Sequence, residues 1–304
     1  MYNSNMTNIS YIPNLISILV PTRERPKNVI RLIESIFTQS LHKELVEIIF
    51  YVDFDDFSFP EYVLTQNVRL VRGPKIFDSL MHNVLYTHAK GEILMWAADD
   101  IQFESKYWDS NIRKEFEKVP DRILIVYPND KGSYAGKIAI HGFIHRRWVE
   151  AVKYFAYPSR NSLMDLWHTE NASKLDRLVF LPDLIISHLH YRQGLATADF
   201  DETYKKRYSE SRSWAPKITY KKLARERRID RIILSEIMDT KPKNEYKYFI
   251  GDFLAKNKNN YKIKQVDPRR LKSISNYLII LIILKNICIR LFRVATLRQR
   301  TSSK

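Results

Sequence analysis

The chain has 304 residues, 45% of them hydrophobic and 12% aromatic, which is enough apolar material for a sizeable core and excludes a wholly disordered chain. A single cysteine, Cys288, excludes a disulfide framework, a zinc ribbon or a CxxC redox pair within one chain and fits a reducing compartment; seven glycines, with no GxGxxG, GxxxxGKS/T or GxSxG, argue against dinucleotide fingerprints, P-loops and nucleophile elbows. The net charge of +16 is uneven: residues 201–304 hold 27 Lys and Arg against 10 Asp and Glu, while residues 1–200 carry a net −1, so the attraction to anions belongs to the last third.

Residues 1–13 are polar, with no basic segment leading into an apolar one, so they are expected to form an N-terminal tail without a secretory signal. Leu15 to Val20 is a short apolar, β-branched run closed by Pro21, the pattern of a buried strand. From Pro26 the spacing turns helical, with Val29, Ile30, Ile33, Ile36 and Phe37 at three- and four-residue steps. Val46 to Val52 is the next strand and runs into Asp53, Asp55 and Asp56; Val68 to Val71 is a short one. Phe77 to Ala89 is helical and stops normally at Gly91. Ile93 to Ala97 is a strand that ends at Asp99 and Asp100. A helix around Ser105 to Lys118 and a strand at Ile123 to Tyr127 follow. Lys137 to Ile144 reads as a strand, His145 to Phe155 and Ser162 to Ser173 as helices, and Leu178 to Leu181 and Leu184 to Ser187 as two strands around Pro182.

Strands separated by helices predict an α/β fold with a mostly parallel open sheet, in which ligands sit beyond the carboxyl ends of the strands. Three strand ends are polar: Thr22, Arg23 and Arg25; then Asp53 and Asp55; then Asp99 and Asp100. In a parallel sheet these clusters converge on one crevice. Adjacent carboxylates such as Asp99 and Asp100 can hold Mg²⁺ or Mn²⁺ against a diphosphate, or can cap the following helix.

The succession ISILVPTRERPKNVIRLIESI, EIIFYVDFDD and NVLYTHAKGEILMWAADD resembles the nucleotide-binding half of family 2 glycosyltransferases, over about residues 14–195. The matching residues are Pro21, Thr22 and Arg23; Asp53 and Asp55; Asn83, Ala89, Gly91 and Glu92; and Asp99 and Asp100. The resemblance implies a GT-A-like, Rossmann-type open sheet with flanking helices over residues 14–204. It also implies a metal-dependent, inverting transfer of a sugar from a nucleotide-diphosphate donor to a hydroxyl on a glycan, lipid or protein. The sequence departs from the family pattern in having VDFDD at the second strand end and ADD in place of DXD at the metal motif.

By the same resemblance, Thr22, Asp53 or Asp55, and Asp99 contact the nucleotide or sugar, Asp100 is the metal ligand, and Mn²⁺ or Mg²⁺ is the cofactor. Arg23, Arg25, Arg72 and Lys75 are cationic candidates for the diphosphate. The catalytic base falls at Asp165, with Glu170 in reserve; Asp165 also suits a capping pair with Ser162. His188 and His190 lie on one face of a strand and become further metal or phosphate ligands, or structural histidines. His141, His145 and His168 have less to recommend them. Gly142 becomes the small residue on the acceptor side, and Trp167 either stacks on a sugar or packs in the core.

From about residue 205 a basic helical region begins, for example Lys221 to Glu236 with Leu223, Ile229, Ile232 and Ile233 apolar. An apolar helix is expected over 274–297, but Lys285 interrupts YLIILIIL at Tyr277 to Leu284 before spanning length is reached. A helix lying on an anionic membrane surface is the favoured reading, ahead of a docked helix or a true span, and implies a cytoplasmic protein peripheral to the membrane. No recognisable nucleic-acid module is present, so no nucleic-acid partner is expected. A non-catalytic nucleotide-sugar-binding module and a basic scaffold remain as alternatives.

Overall fold

The computed structural model describes residues 11–158, 163–189 and 220–239. The first strand, β1 (Ile12–Pro21), starts three residues earlier than the apolar run. Ile12 pairs with Gly91, and a bulge separates it from the regular register at Ile16, where Asn14 takes a positive φ. α1 (Pro26–Gln39) has Pro26 in its first turn and buries Val29, Leu32 and Ile36. β2 (Val46–Asp53) is buried along its whole length, as expected for a strand covered on both faces. Its one charged interior residue, Glu47, accepts hydrogen bonds from Ser17, Arg69 and the Lys90 backbone N–H, which offsets its desolvation. β3 (Val68–Gly73), α2 (Asp78–His88) and β4 (Gly91–Trp96) follow.

β5 (Ile101–Phe103), directly after the aspartate pair, was not legible in the sequence because three residues carry no period. α3 (Trp108–Glu117) and β6 (Ile125–Asn129) match their patterns. The strand expected over Lys137 to Ile144 is confined to β7 (Gly142–His145); the residues before it form turns. α4 (Arg146–Val152) and α5 (Met164–Lys174) come next. The two strands expected around Pro182 are one, β8 (Leu178–His188). Its register against β6 shifts at Pro182, which has no N–H to donate, and the far half turns to pair with β5. The last described helix, α6 (Ala224–Ile237), starts three residues later and ends one residue later than the expected basic helix.

The strands form one open sheet in the order β3-β2-β1-β4-β7-β6-β8-β5. The neighbours β3/β2, β2/β1, β1/β4 and β6/β8 are parallel; β7 runs antiparallel to both β4 and β6, and β5 antiparallel to β8. Parallel neighbours need a long crossover, usually helical, and the β6–β7 connection contains no helix, so β7 returns antiparallel. The open α/β sheet with flanking helices expected from the sequence is present. The strand order reverses between β1 and β4, so the switch-point crevice opens beyond Pro21 and Trp96.

Residues 190–219 and 240–304 lie outside the described residues, and with them the boundary at 205, His190, Cys288 and the apolar helix over 274–297. Among the described residues, no helix is long and apolar enough to cross a membrane.

Candidate functional site

The crevice at the switch point is closed by a hydrogen bond across it: Thr22 Oγ1, after β1, donates to Asp99 Oδ2, after β4, at 2.6 Å. Arg25 Nη1 holds the other Asp99 oxygen at 2.9 Å. Both Asp99 oxygens are therefore held by protein groups. Burial pushes its carboxyl pKa up, with Arg25 opposing and the neighbouring Asp100 adding to the rise. From β2, Asp53 Oδ2 and Asp55 Oδ1 both accept from Arg23 Nη1, at 2.7 and 2.6 Å. This bridging raises the Arg23 pKa and lowers that of the exposed Asp55. The second oxygen of buried Asp53 has no hydrogen-bond partner among the described residues. Arg72 is turned to the Asp56 carbonyl and Glu61, away from the aspartate pair, whereas Lys75 is exposed at the β3 end, close enough to Asp55 to act on its charge.

Asp100 lies one residue deeper. β8 delivers His188 opposite Ile101, and His188 Nε2 comes to 3.3 Å from Asp100 Oδ1. The Leu189 N–H donates to the Asp100 carbonyl at 2.7 Å and fixes that register. A third residue joins them. Gly142 pairs with Trp96, so the antiparallel return of β7 carries His141 past the end of β4. The His141 and His188 rings meet edge to face, 4.8 Å apart. Ligand atoms of Asp100, His141 and His188 lie within 4.8 Å of one another. His141 is 7% exposed, and neither ring nitrogen has a hydrogen-bond partner among the described residues. Burial, with His188 second, pushes its pKa down to about 3, so its ring is neutral and able to ligate. A carboxylate with two imidazoles is a donor set that fits a divalent metal ion.

Other expectations are corrected by packing. Trp167 is buried: Tyr157 stacks on its ring, the Arg227 guanidinium covers it, and its Nε1–H donates to Asp230, so no ring face is left for a sugar. Glu170 is not a reserve base. It accepts from Tyr220, Arg227, Lys174 and Arg231; burial alone would raise its pKa, but Arg227 and the other donors hold it low. Gly142 has a packing reason to be small: a Cβ there would lie 2.6 Å from the Trp96 indole. His145 caps α4 and bonds Glu92, and His168 is wedged between Trp96 and Phe155. Asn83 bonds the backbone of Phe155 and Ala156 and so ties α2 to the chain leading towards α5. Asp165 stands half-buried in the first turn of α5, whose N-cap is Leu163; Ser162, its expected capping partner, is not among the described residues.

No protein-family model and no curated protein sequence matches the chain. Among solved structures, it is similar to the mannosyltransferase PcManGT from Pyrobaculum calidifontis, in complex with GDP-Man and Mn²⁺, at a TM-score of 0.48 and 16% identity over 57% of this chain. The match spans just over half of that enzyme's chain, 56%. It is also similar to S. aureus TarS 1–349 in complex with UDP, at a TM-score of 0.47 and 16% identity over 63% of this chain and 68% of that one. For the same protein in complex with UDP-GlcNAc the values are 0.46 and 14%, over 74% of this chain and 84% of that one.

Proposed function

We propose that the protein is a metal-dependent glycosyltransferase, inverting in mechanism, that moves a sugar from a nucleotide diphosphate to an acceptor hydroxyl. The observation that carries this reading is the meeting of three strand ends at one crevice: Thr22 and Arg25 on Asp99, Arg23 on Asp53 and Asp55, and Asp100 beside His141 and His188. Asp53, with one buried oxygen open, suits a hydroxyl or amide of the nucleoside. Arg23 and Arg25 are held by carboxylates on both sides of the crevice and present cations along a diphosphate path. Lys75 adds an exposed cation at the rim. Asp100 and His188 would hold the divalent cation, which would supply charge stabilisation to the departing diphosphate.

Asp165 is the proposed base. The acceptor oxygen forms its bond to the anomeric carbon, the bond from that carbon to the diphosphate oxygen breaks, and the hydroxyl proton passes to the Asp165 carboxylate. The basic region beyond residue 205 is proposed to hold the enzyme at an anionic membrane surface, near a glycan- or lipid-linked acceptor.

The test is a thermal-shift panel of UDP, GDP, CDP and dTDP with and without Mn²⁺. One nucleotide at about 100 times its dissociation constant adds roughly 2.7 kcal/mol, in the presence of metal only, and the shift is absent in Asp100→Ala. Asp165→Asn keeps that shift and loses turnover. No shift with any nucleotide removes the transferase reading.

A further inference from the structure

We infer that His141 is a third protein ligand to the cation, and that the site therefore selects a first-row transition-metal ion over Mg²⁺ and binds it without nucleotide. The inference deepens the donor-site reading, on which it rests for the ion's purpose but not for its binding. A buried imidazole normally satisfies at least one nitrogen with a protein partner. His141 satisfies neither among the described residues, although it directly precedes β7, which pairs with both β4 and β6. Its ring instead abuts His188, and its ligand atom shares a cluster with those of Asp100 and His188. One ion can bridge three donors at that spacing after small side-chain rotations, and would be the partner that the His141 ring lacks.

The ligand set has consequences. Mg²⁺ keeps several waters and is usually held by one or two carboxylates together with the substrate's phosphates, so its binding waits for the nucleotide. Two imidazoles and one carboxylate favour Fe²⁺, Co²⁺ or Zn²⁺ most, with Mn²⁺ the weakest of the first-row ions, because imidazole suits the later transition ions whereas Mg²⁺ prefers oxygen ligands. Three donors from the chain itself also allow binding in the absence of any phosphate.

The experiment is a titration of the metal-free full chain with Co²⁺, followed by its visible absorption, with Mg²⁺ as competitor and no nucleotide present. Co²⁺ is expected to bind more than about tenfold tighter than Mg²⁺. His141→Ala is expected to weaken Co²⁺ by about tenfold or more and to change the absorption bands, while its urea unfolding stays cooperative. Should that variant fail to fold, electron-spin-echo modulation of Mn²⁺ on the wild-type chain decides the point: two directly bonded imidazoles support the inference and one overturns it. Co²⁺ binding that requires nucleotide, or that is unchanged in His141→Ala, also overturns it, and leaves the transferase reading intact wherever UDP or GDP still stabilises the chain. Two-imidazole binding without any nucleotide response supports the metal site and removes the donor-site reading.

Discussion

Asp99 and Asp100 are adjacent in sequence and opposite in use. Asp99 is held by Thr22 and Arg25, which lock the ends of β1 and β4 together, while Asp100 faces two histidines. The pair was legible as a strand-end motif, and so was His188 as a late histidine. His141 was passed over because its only sequence signal is a neighbouring glycine. Its role depends on β7 returning antiparallel beside β4. Gly142 carries a prediction at this scale. Trp96 is anchored by its Nε1–H to the Ile140 carbonyl at 2.9 Å, so its ring cannot swing away from an added methyl. Gly142→Ala is expected to cost ~1–3 kcal/mol, measured by urea unfolding, through overpacking. A stability change near zero would mean that the indole can relax.

At the scale of elements, α6 docks on α4 and α5 through buried polar groups more than through apolar ones. Asp230 accepts from Tyr154, Trp167 and Asn171, and Arg227 lies on Glu170 and over Trp167 and Tyr220. The periodicity of the basic helix predicted its existence but not this face, because an Arg and an Asp read as solvent-facing until their partners are known. Burial pushes the Asp230 carboxyl pKa up to about 7, against the pull of its three donors. Its folded pKa is thus above the unfolded value near 3.8. The stability tied to its proton is fully present below pH ~4 and is lost as pH rises towards ~7, at up to ~1.4 kcal/mol per pH unit. Asp230→Asn carries no such proton. Its stability relative to wild type is expected to improve steadily between pH 4 and pH 7 in denaturant titrations. Parallel curves for the two proteins would show that Asp230 is ionised in the folded state throughout.

Over the whole molecule, the basic charge and the candidate site are separated along the chain: the crevice is built from a nearly neutral body, and the cations accumulate after residue 200. If the basic region is a membrane anchor, the full chain pellets with vesicles containing anionic lipid and is released by salt, whereas neutral vesicles leave it in solution. A chain ending at Asp239 should remain in the supernatant. Equal pelleting of the shorter chain would move the contact surface onto the body.

The sequence by itself determined the strands with strong local signatures. Largely apolar runs at Leu15 to Val20 and Val46 to Val52, broken only by Ser17 and Glu47, which hydrogen-bond each other, are satisfied by burial on both faces, and the polar clusters that end them fall at the carboxyl edge of any parallel sheet. Local period also gave α1, α2 and the basic helix. Tertiary structure alone decided which polar residues are spent on the scaffold and which are left for a ligand. Trp167, Glu170 and Gly142 look functional in one dimension, yet each is accounted for by a neighbour far along the chain: Arg227, Tyr220 and Trp96. His141 looks incidental, yet it is brought to Asp100 by a strand direction that no local pattern encodes. The physical reason is that hydrophobic period is a property of successive residues, whereas the satisfaction of a buried polar group depends on whichever chain segment packs against it.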